Sequence, residues 1–281
     1  MARDLVPLVA PEELKSLLAE GGVVLLDARV SRARYDEGHL PGARYASPDA
    51  DLSAALATGA DPRRGGRHPL PDLATWGATL GSWGITPETA VVAYDDQSGA
   101  NAAARAWWML KSVGHARAAV LDGGLDAAVA AGLPLVRNVP AAAPAPPYPA
   151  RAWRWPTADL AAVDARRGDP AWRVLDVRSR ERFAGETEPI DPIAGHIPGA
   201  VNLPFGENLV GGRFKSPAAL RDLYAKLLER RAPEKLVVHC GSGVTACHTL
   251  LALERAGLPG AALYVGSWGE WCRRDLPREP A

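Results

Sequence analysis

Short, nearly continuous apolar runs recur along the chain: Val23-Val24-Leu25-Leu26-Asp27, Val91-Val92-Ala93-Tyr94-Asp95, Ala118-Ala119-Val120-Leu121-Asp122, Arg173-Val174-Leu175-Asp176 and Leu236-Val237-Val238-His239-Cys240. Runs this short, without polar alternation, predict strands buried on both faces, the habit of parallel sheets. Between them lie stretches with helical spacing: Pro11 through Leu18 before Gly21-Gly22, a segment carrying Arg105, Trp107, Trp108 and Leu110, and Thr249-Leu250-Leu251-Ala252-Leu253-Glu254 beyond Cys240. Strands alternating with helices predict an α/β fold of doubly wound, mainly parallel sheets flanked by helices. Functional groups are then expected at the carboxyl ends of the strands.

The second half repeats the first. Leu25-Leu26-Asp27-Ala28-Arg29 returns as Val174-Leu175-Asp176-Val177-Arg178, and Gly38-His39-Leu40-Pro41-Gly42-Ala43 returns as Gly195-His196-Ile197-Pro198-Gly199-Ala200. Val120-Leu121-Asp122-Gly123 is answered by Leu263-Tyr264-Val265-Gly266. This is an internal duplication. Aligning the halves sets Asp95 opposite Cys240, so the only thiol at a strand end belongs to the second copy. The Pro/Ala-rich stretch Asn138–Pro149 excludes regular helix and reads as an extended linker. The expected division is a first, noncatalytic domain over 1–136, a linker over 137–152 and a catalytic domain over 153–281. A glycine-rich polar excursion from Asp49 to Pro71, containing Arg63-Arg64-Gly65-Gly66-Arg67-His68, reads as loop.

The 281 residues, 47% hydrophobic, are enough for two ordinary cores. No apolar run is long enough to cross a bilayer, and Met1-Ala2-Arg3-Asp4-Leu5 lacks the hydrophobic region of a signal peptide, so a cytoplasmic, non-membrane protein is expected. With 32 basic and 32 acidic side chains the net charge is zero and the arginines are scattered, which argues against a nucleic-acid partner. Three cysteines do not make a disulfide framework.

Candidate chemistry concentrates at Cys240-Gly241-Ser242-Gly243-Val244-Thr245-Ala246, between a buried strand and a helix start. Backbone N–H groups of such a loop converge on one point and, with the helix dipole, hold negative charge on a sulfur. A cysteine ending a buried strand is often only a small core hydrophobe. Gly241, Gly243 and the hydroxyl of Ser242 instead suit a loop whose backbone faces a ligand. The loop itself carries no basic side chain. A cysteine-dependent phosphatase would need an arginine where Ala246 stands. His239, Cys240, Cys247 and His248 lack the spacing of a zinc site, and Cys247 and Cys272 read as packing thiols.

The paired Gly-His-(Leu/Ile)-Pro-Gly-Ala motifs, the strands ending in Asp-x-Arg, the closing Gly266-Ser267-Trp268-Gly269-Glu270-Trp271 and the loop Cys240–Ala246 together resemble a tandem-domain rhodanese-type sulfurtransferase over nearly the whole chain. The loop is similar to that of the 3-mercaptopyruvate branch, whereas thiosulfate-preferring members usually carry basic residues after the cysteine. The resemblance implies that Cys240 takes a sulfane sulfur as a persulfide and passes it to cyanide, a thiol or thioredoxin. No metal or organic cofactor is implied. Gly241, Gly243, Val244, Thr245 and Ala246 would line the sulfur, and Arg182 would bind the donor. A second substrate arginine, usual a little further on, is missing from Glu186-Thr187-Glu188-Pro189-Ile190-Asp191-Pro192, which leaves thiosulfate open as donor. Matching positions for a proton relay are Ser242, His68 and Asp49, the last two supplied by the first domain's excursion across an interdomain cleft. A noncatalytic binding module on the same fold is the alternative of a different class.

Overall fold

The computed structural model describes residues 5–140 and 143–280; the N-terminal residues Met1–Asp4 and linker residues Ala141 and Ala142 considered above lie outside them. The chain forms two compact units, one comprising Met1–Ser53, Pro71–Arg154 and Gly211–Arg213, the other Ala54–Leu70, Trp155–Val210 and Phe214–Ala281. The glycine-rich segment 54–70 is therefore part of the unit that carries Cys240.

In the first unit five parallel strands pair in the order Leu8–Val9, Ala118–Leu121, Ala90–Tyr94, Val23–Asp27 and Arg44–Tyr45. The central strand Ala90–Tyr94 is buried at every position, which is why its sequence shows no alternation. Helix Ala102–Ser112 packs on the sheet with Trp107 and Trp108 fully buried. Helix Leu73–Ser82 carries Gly77 and Gly81 on one face. The extended Pro-rich segment lies on that face, with the N–H groups of Tyr148 and Ala145 donating to the carbonyls of Gly77 and Gly81. A Cβ at Gly77 would stand 2.6 Å from the Tyr148 carbonyl, so these helix glycines permit the close approach.

The second unit repeats the strand order: Thr157–Ala158, Ala262–Tyr264, Leu236–His239, Arg173–Asp176 and Val201–Asn202, again parallel. Val174, Ile197, Val237, Tyr264, Trp268 and Trp271 form one of its core clusters. The duplication extends to side chains. Arg29 binds the buried Asp27 at 2.7 Å and donates to the Gly38 carbonyl; Arg178 binds Asp176 at 2.6 Å and donates to the Gly195 carbonyl. His39 stacks on Tyr35 as His196 stacks on Phe183. The repeated motifs are thus a buried ion pair that fastens the Gly-His turn to the second strand of each sheet. No helix among the described residues is long and apolar enough to cross a membrane.

Candidate active site

Cys240 follows the Leu236–His239 strand at the middle of its sheet and is 2% exposed, a free thiol. Helix Ala246–Arg255 starts six residues later, and the loop between them is turned by bonds to its carbonyls. The Cys240 carbonyl accepts from the N–H of Trp268, that of Gly241 from Gly269, that of Val244 from Cys247 and that of Thr245 from His248. The Cys247 thiol donates to the Gly243 carbonyl at 3.3 Å. These bonds occupy carbonyls of the loop, and the Cys240 N–H donates to Ser267 Oγ at 3.2 Å. Gly243 has φ +74°, and a Cβ there would meet the Val265 carbonyl at 2.6 Å. Only glycine fits this position without displacing the next strand's end. Ser242 and Val244 are buried, and Thr245 is half-buried.

The first unit shows what such a loop holds. Asp95 follows the Ala90–Tyr94 strand as Cys240 follows Leu236–His239, and it is fully buried. Its Oδ1 accepts from the N–H groups of Gln97 and Gly99, each at 2.9 Å, and its Oδ2 from those of Asn101 and Ala103 at 3.0 and 3.2 Å. Burial pushes the Asp95 carboxyl up against the pull of these donors. The anion of this loop is a carboxylate belonging to the chain itself.

Charged side chains gather beside Cys240. Ser179 caps the short helix Arg180–Phe183 and positions Arg182. The Arg182 guanidinium lies 2.7 Å from Glu188 and 3.7 Å from Asp191. Arg178 joins Asp176 to Glu188, and Asp191 binds Arg67 at 3.1 Å and Arg273 at 2.8 Å. Burial acts to raise the Glu188 carboxyl, but the N–H groups of Asp191 and Ile190 and the Arg182 guanidinium outweigh it and hold it below its ordinary value. Behind Cys240, His239 lies 3.8 Å from Asp176; burial keeps its imidazole below the usual histidine range although Asp176 pulls the other way.

Sequence reasoning singled out Arg182 and missed Arg67. A Cβ built on Gly241 would stand 2.9 Å from Arg67 Nη2 and 3.3 Å from Arg182 Nη2. The loop has no basic residue of its own, yet two guanidinium groups occupy the space that glycine leaves open. The signal was present in Gly65-Gly66-Arg67, but nothing local reveals where that loop docks. His68, next in sequence, is half-buried and belongs to the same unit as Cys240. Asp49 belongs to the first unit, is exposed, and its carbonyl accepts the Ser53 hydroxyl.

Two copies of a parallel α/β domain, one following its central strand with a buried free thiol and the other with a buried carboxylate, define a duplicated class of protein with one nucleophile. The Rhodanese-like domain family matches residues 10–131 and 159–274. The chain belongs to the tandem-domain rhodanese-type sulfurtransferase family. It is 43% identical to the protein named "Probable 3-mercaptopyruvate sulfurtransferase" of Pseudomonas aeruginosa, over 97% of this chain and 96% of that one. It is 34% identical to thiosulfate sulfurtransferase of Mus musculus, over 89% and 82% of the two chains. The structure is similar to that of 3-mercaptopyruvate sulfurtransferase from Leishmania major, with a TM-score of 0.80 and 32% identity, covering 94% of this chain and 73% of the other.

Proposed function

We propose that this sulfurtransferase takes a sulfane sulfur from 3-mercaptopyruvate onto Cys240 and delivers it to cyanide, a small thiol or a dithiol protein such as thioredoxin. The reading is carried by the place of Cys240, a buried free thiol following its central strand where the first unit has a carboxylate held on four backbone N–H groups. In the first step the Cys240 thiolate attacks the donor sulfur. An S–S bond forms, the C–S bond breaks, and its electron pair passes to the three-carbon fragment as an enolate. The thiol proton of the donor is transferred to that carbon, giving pyruvate and a persulfide anion stabilised by the loop. We assign this transfer to Ser242 with His68, and carry over Asp49 as the orienting carboxylate from the family resemblance. Arg182 binds the carboxylate of the donor, the task for which a planar guanidinium is suited.

Thiosulfate is the second reading, favoured by the likeness to the mouse enzyme. Its sulfite leaving group departs with the electron pair and needs no carbon protonation. The first unit is assigned no chemistry, because Asp95 already fills its loop.

Incubation of the protein with donor alone, followed by mass spectrometry, tests the proposal. A gain of one sulfur, about 32 Da, removed by cyanide or dithiol and absent from Cys240→Ser, is expected for a persulfide. Undiminished turnover in Cys240→Ser would rule out the covalent route, and absence of both the mass gain and turnover in the unmodified protein would favour the binding-module alternative.

A further inference from the structure

The donor is an anion, yet the stretch Glu186–Pro192 offers no second arginine; Ile190 in it is 54% exposed and apolar. The second cation comes from a different part of the chain. Arg67 is held with its Nε donating to Asp191 Oδ1 at 3.1 Å, which leaves Nη2 directed at Gly241. Arg182 is held in the same fashion, its Nε and Nη2 donating to Glu188. Both guanidiniums are held by carboxylates beside the residue next to the thiol, Arg67 with Nη2 toward Gly241 and Arg182 with its Glu188-bound Nη2 there and Nη1 a little further off.

The loop that brings Arg67 there is itself anchored on the catalytic unit. The Gly65 N–H donates to Glu270 Oε1 at 2.9 Å, and the other oxygen of Glu270 accepts the Tyr264 hydroxyl at 2.9 Å. Gly66 lies backbone on backbone against Gly266, where a Cβ would come within 2.3 Å of the Gly266 carbonyl. The Ala54 N–H closes the segment on the Pro69 carbonyl.

Charge and access point the same way. The connected cluster holds four arginines, Arg67, Arg178, Arg182 and Arg273, against three carboxylates, Asp176, Glu188 and Asp191. These side chains carry one net positive charge, which faces the Cys240 thiolate and an incoming donor anion alike. Arg178 is sealed, its side chain 1% exposed, whereas those of Arg67 and Arg182 are 22% and 18% exposed and can reach a ligand.

We propose that Arg67 is the second anion-binding arginine of the donor site, gripping with Arg182 the oxyanion group of the donor above Gly241. This rests on the sulfurtransferase reading and names the residue that completes its donor site. The group recognised is a carboxylate, as in a 2-oxo-3-thiol acid, or the sulfonate end of thiosulfate. In both cases a gripped oxyanion leaves the transferable sulfur free to face Cys240.

The test combines kinetics with binding that needs no turnover. Steady-state rates with 3-mercaptopyruvate and with thiosulfate are measured for the unmodified protein, Arg67→Ala, Arg67→Lys and Arg182→Ala. Binding of pyruvate and of sulfite is measured by calorimetry on Cys240→Ser with and without Arg67→Ala. Loss of one charge-assisted contact predicts a KM roughly tenfold or more higher in Arg67→Ala, kcat within about threefold, and partial recovery in Arg67→Lys. Kd for the product anion should weaken by a similar factor. A change confined to 3-mercaptopyruvate and pyruvate identifies the carboxylate as the gripped group, and one confined to thiosulfate and sulfite identifies the sulfonate. KM and Kd within twofold of the parent in Arg67→Ala, while Arg182→Ala weakens both, would overturn the proposal. Should Arg67→Ala fail to fold by circular dichroism, Arg67→Gln and Arg67→Lys decide by the same criteria. Absence of turnover with either donor in the unmodified protein would sink the sulfurtransferase reading, while the binding arm still judges Arg67.

Discussion

Ser267 Oγ accepts the N–H of Cys240 at 3.2 Å while donating to the Tyr264 carbonyl at 2.9 Å, and it does so from a left-handed backbone with φ +56°. The corresponding place in the first unit is Gly124, φ +62°, whose successor Leu125 donates to the Asp95 carbonyl as Trp268 does to that of Cys240. A serine in this conformation is strained where glycine is not, and its hydroxyl fixes the direction of the Cys240 peptide. Ser267→Ala keeps the strained Cβ and loses both bonds, so we expect a loss of about 1–3 kcal/mol in urea unfolding. Ser267→Gly loses the bonds but relieves the strain and should cost less. Equal stability of the alanine and glycine variants would show that φ carries no penalty here.

The two loop glycines should answer differently to the same substitution. In Gly243→Ala a new Cβ meets the backbone of Val265 at 2.6 Å from a φ of +74°, and nothing nearby can move cheaply. Destabilisation of about 1–3 kcal/mol and loss of persulfide formation are expected. In Gly241→Ala the neighbours are the ends of Arg67 and Arg182, which can swing aside. The fold should persist and the donor KM should rise, by roughly tenfold. Thermal melts and donor kinetics on the two variants separate these outcomes.

Two buried histidines give the protein a defined acid limb. Burial pushes His248, which meets Phe205 edge-on and Phe214 at a tilt, down to about 3, and His115 down to about 4. In the unfolded chain both titrate near about 6.5. Between those values the unfolded state binds more protons, so stability is complete above about pH 6.5 and falls as pH drops toward 4, by up to about 1.4 kcal/mol per pH unit for each histidine. Urea midpoints across pH 5–7.5 should show a shallower slope in His248→Leu than in the parent. An unchanged slope would exclude His248 as a contributor.

The proton relay predicts donor-selective coupling. His68→Ala and Ser242→Ala should each slow 3-mercaptopyruvate turnover, with the double variant losing less than the product of the single losses. Thiosulfate turnover should change little, since sulfite needs no protonated carbon. Additive losses, or equal losses with both donors, would exclude a shared relay.

Much of this protein was legible in its sequence because the relevant physics is local or repeated. Continuous apolar runs mark strands buried on both faces, Gly241 and Gly243 after Cys240 mark a turning loop, and the doubled Asp-x-Arg and Gly-His motifs reveal two copies of one fold. The Asp95 and Cys240 positions could be matched by alignment alone. What the alignment did not reveal is that Asp95 takes four backbone N–H groups of its own loop and the helix start that follows, since hydrogen-bond direction depends on how each peptide is turned. Nor could Ser267 be recognised as the strained residue that holds the Cys240 N–H, because φ is set by packing around it. Arg67 is the clearest case. Its segment has no periodicity, and its place over Gly241 follows from Gly66 lying against Gly266, Gly65 bonding Glu270 and Asp191 holding the guanidinium. Those contacts join residues far apart in the chain, and only the folded arrangement brings their charges and backbones into register.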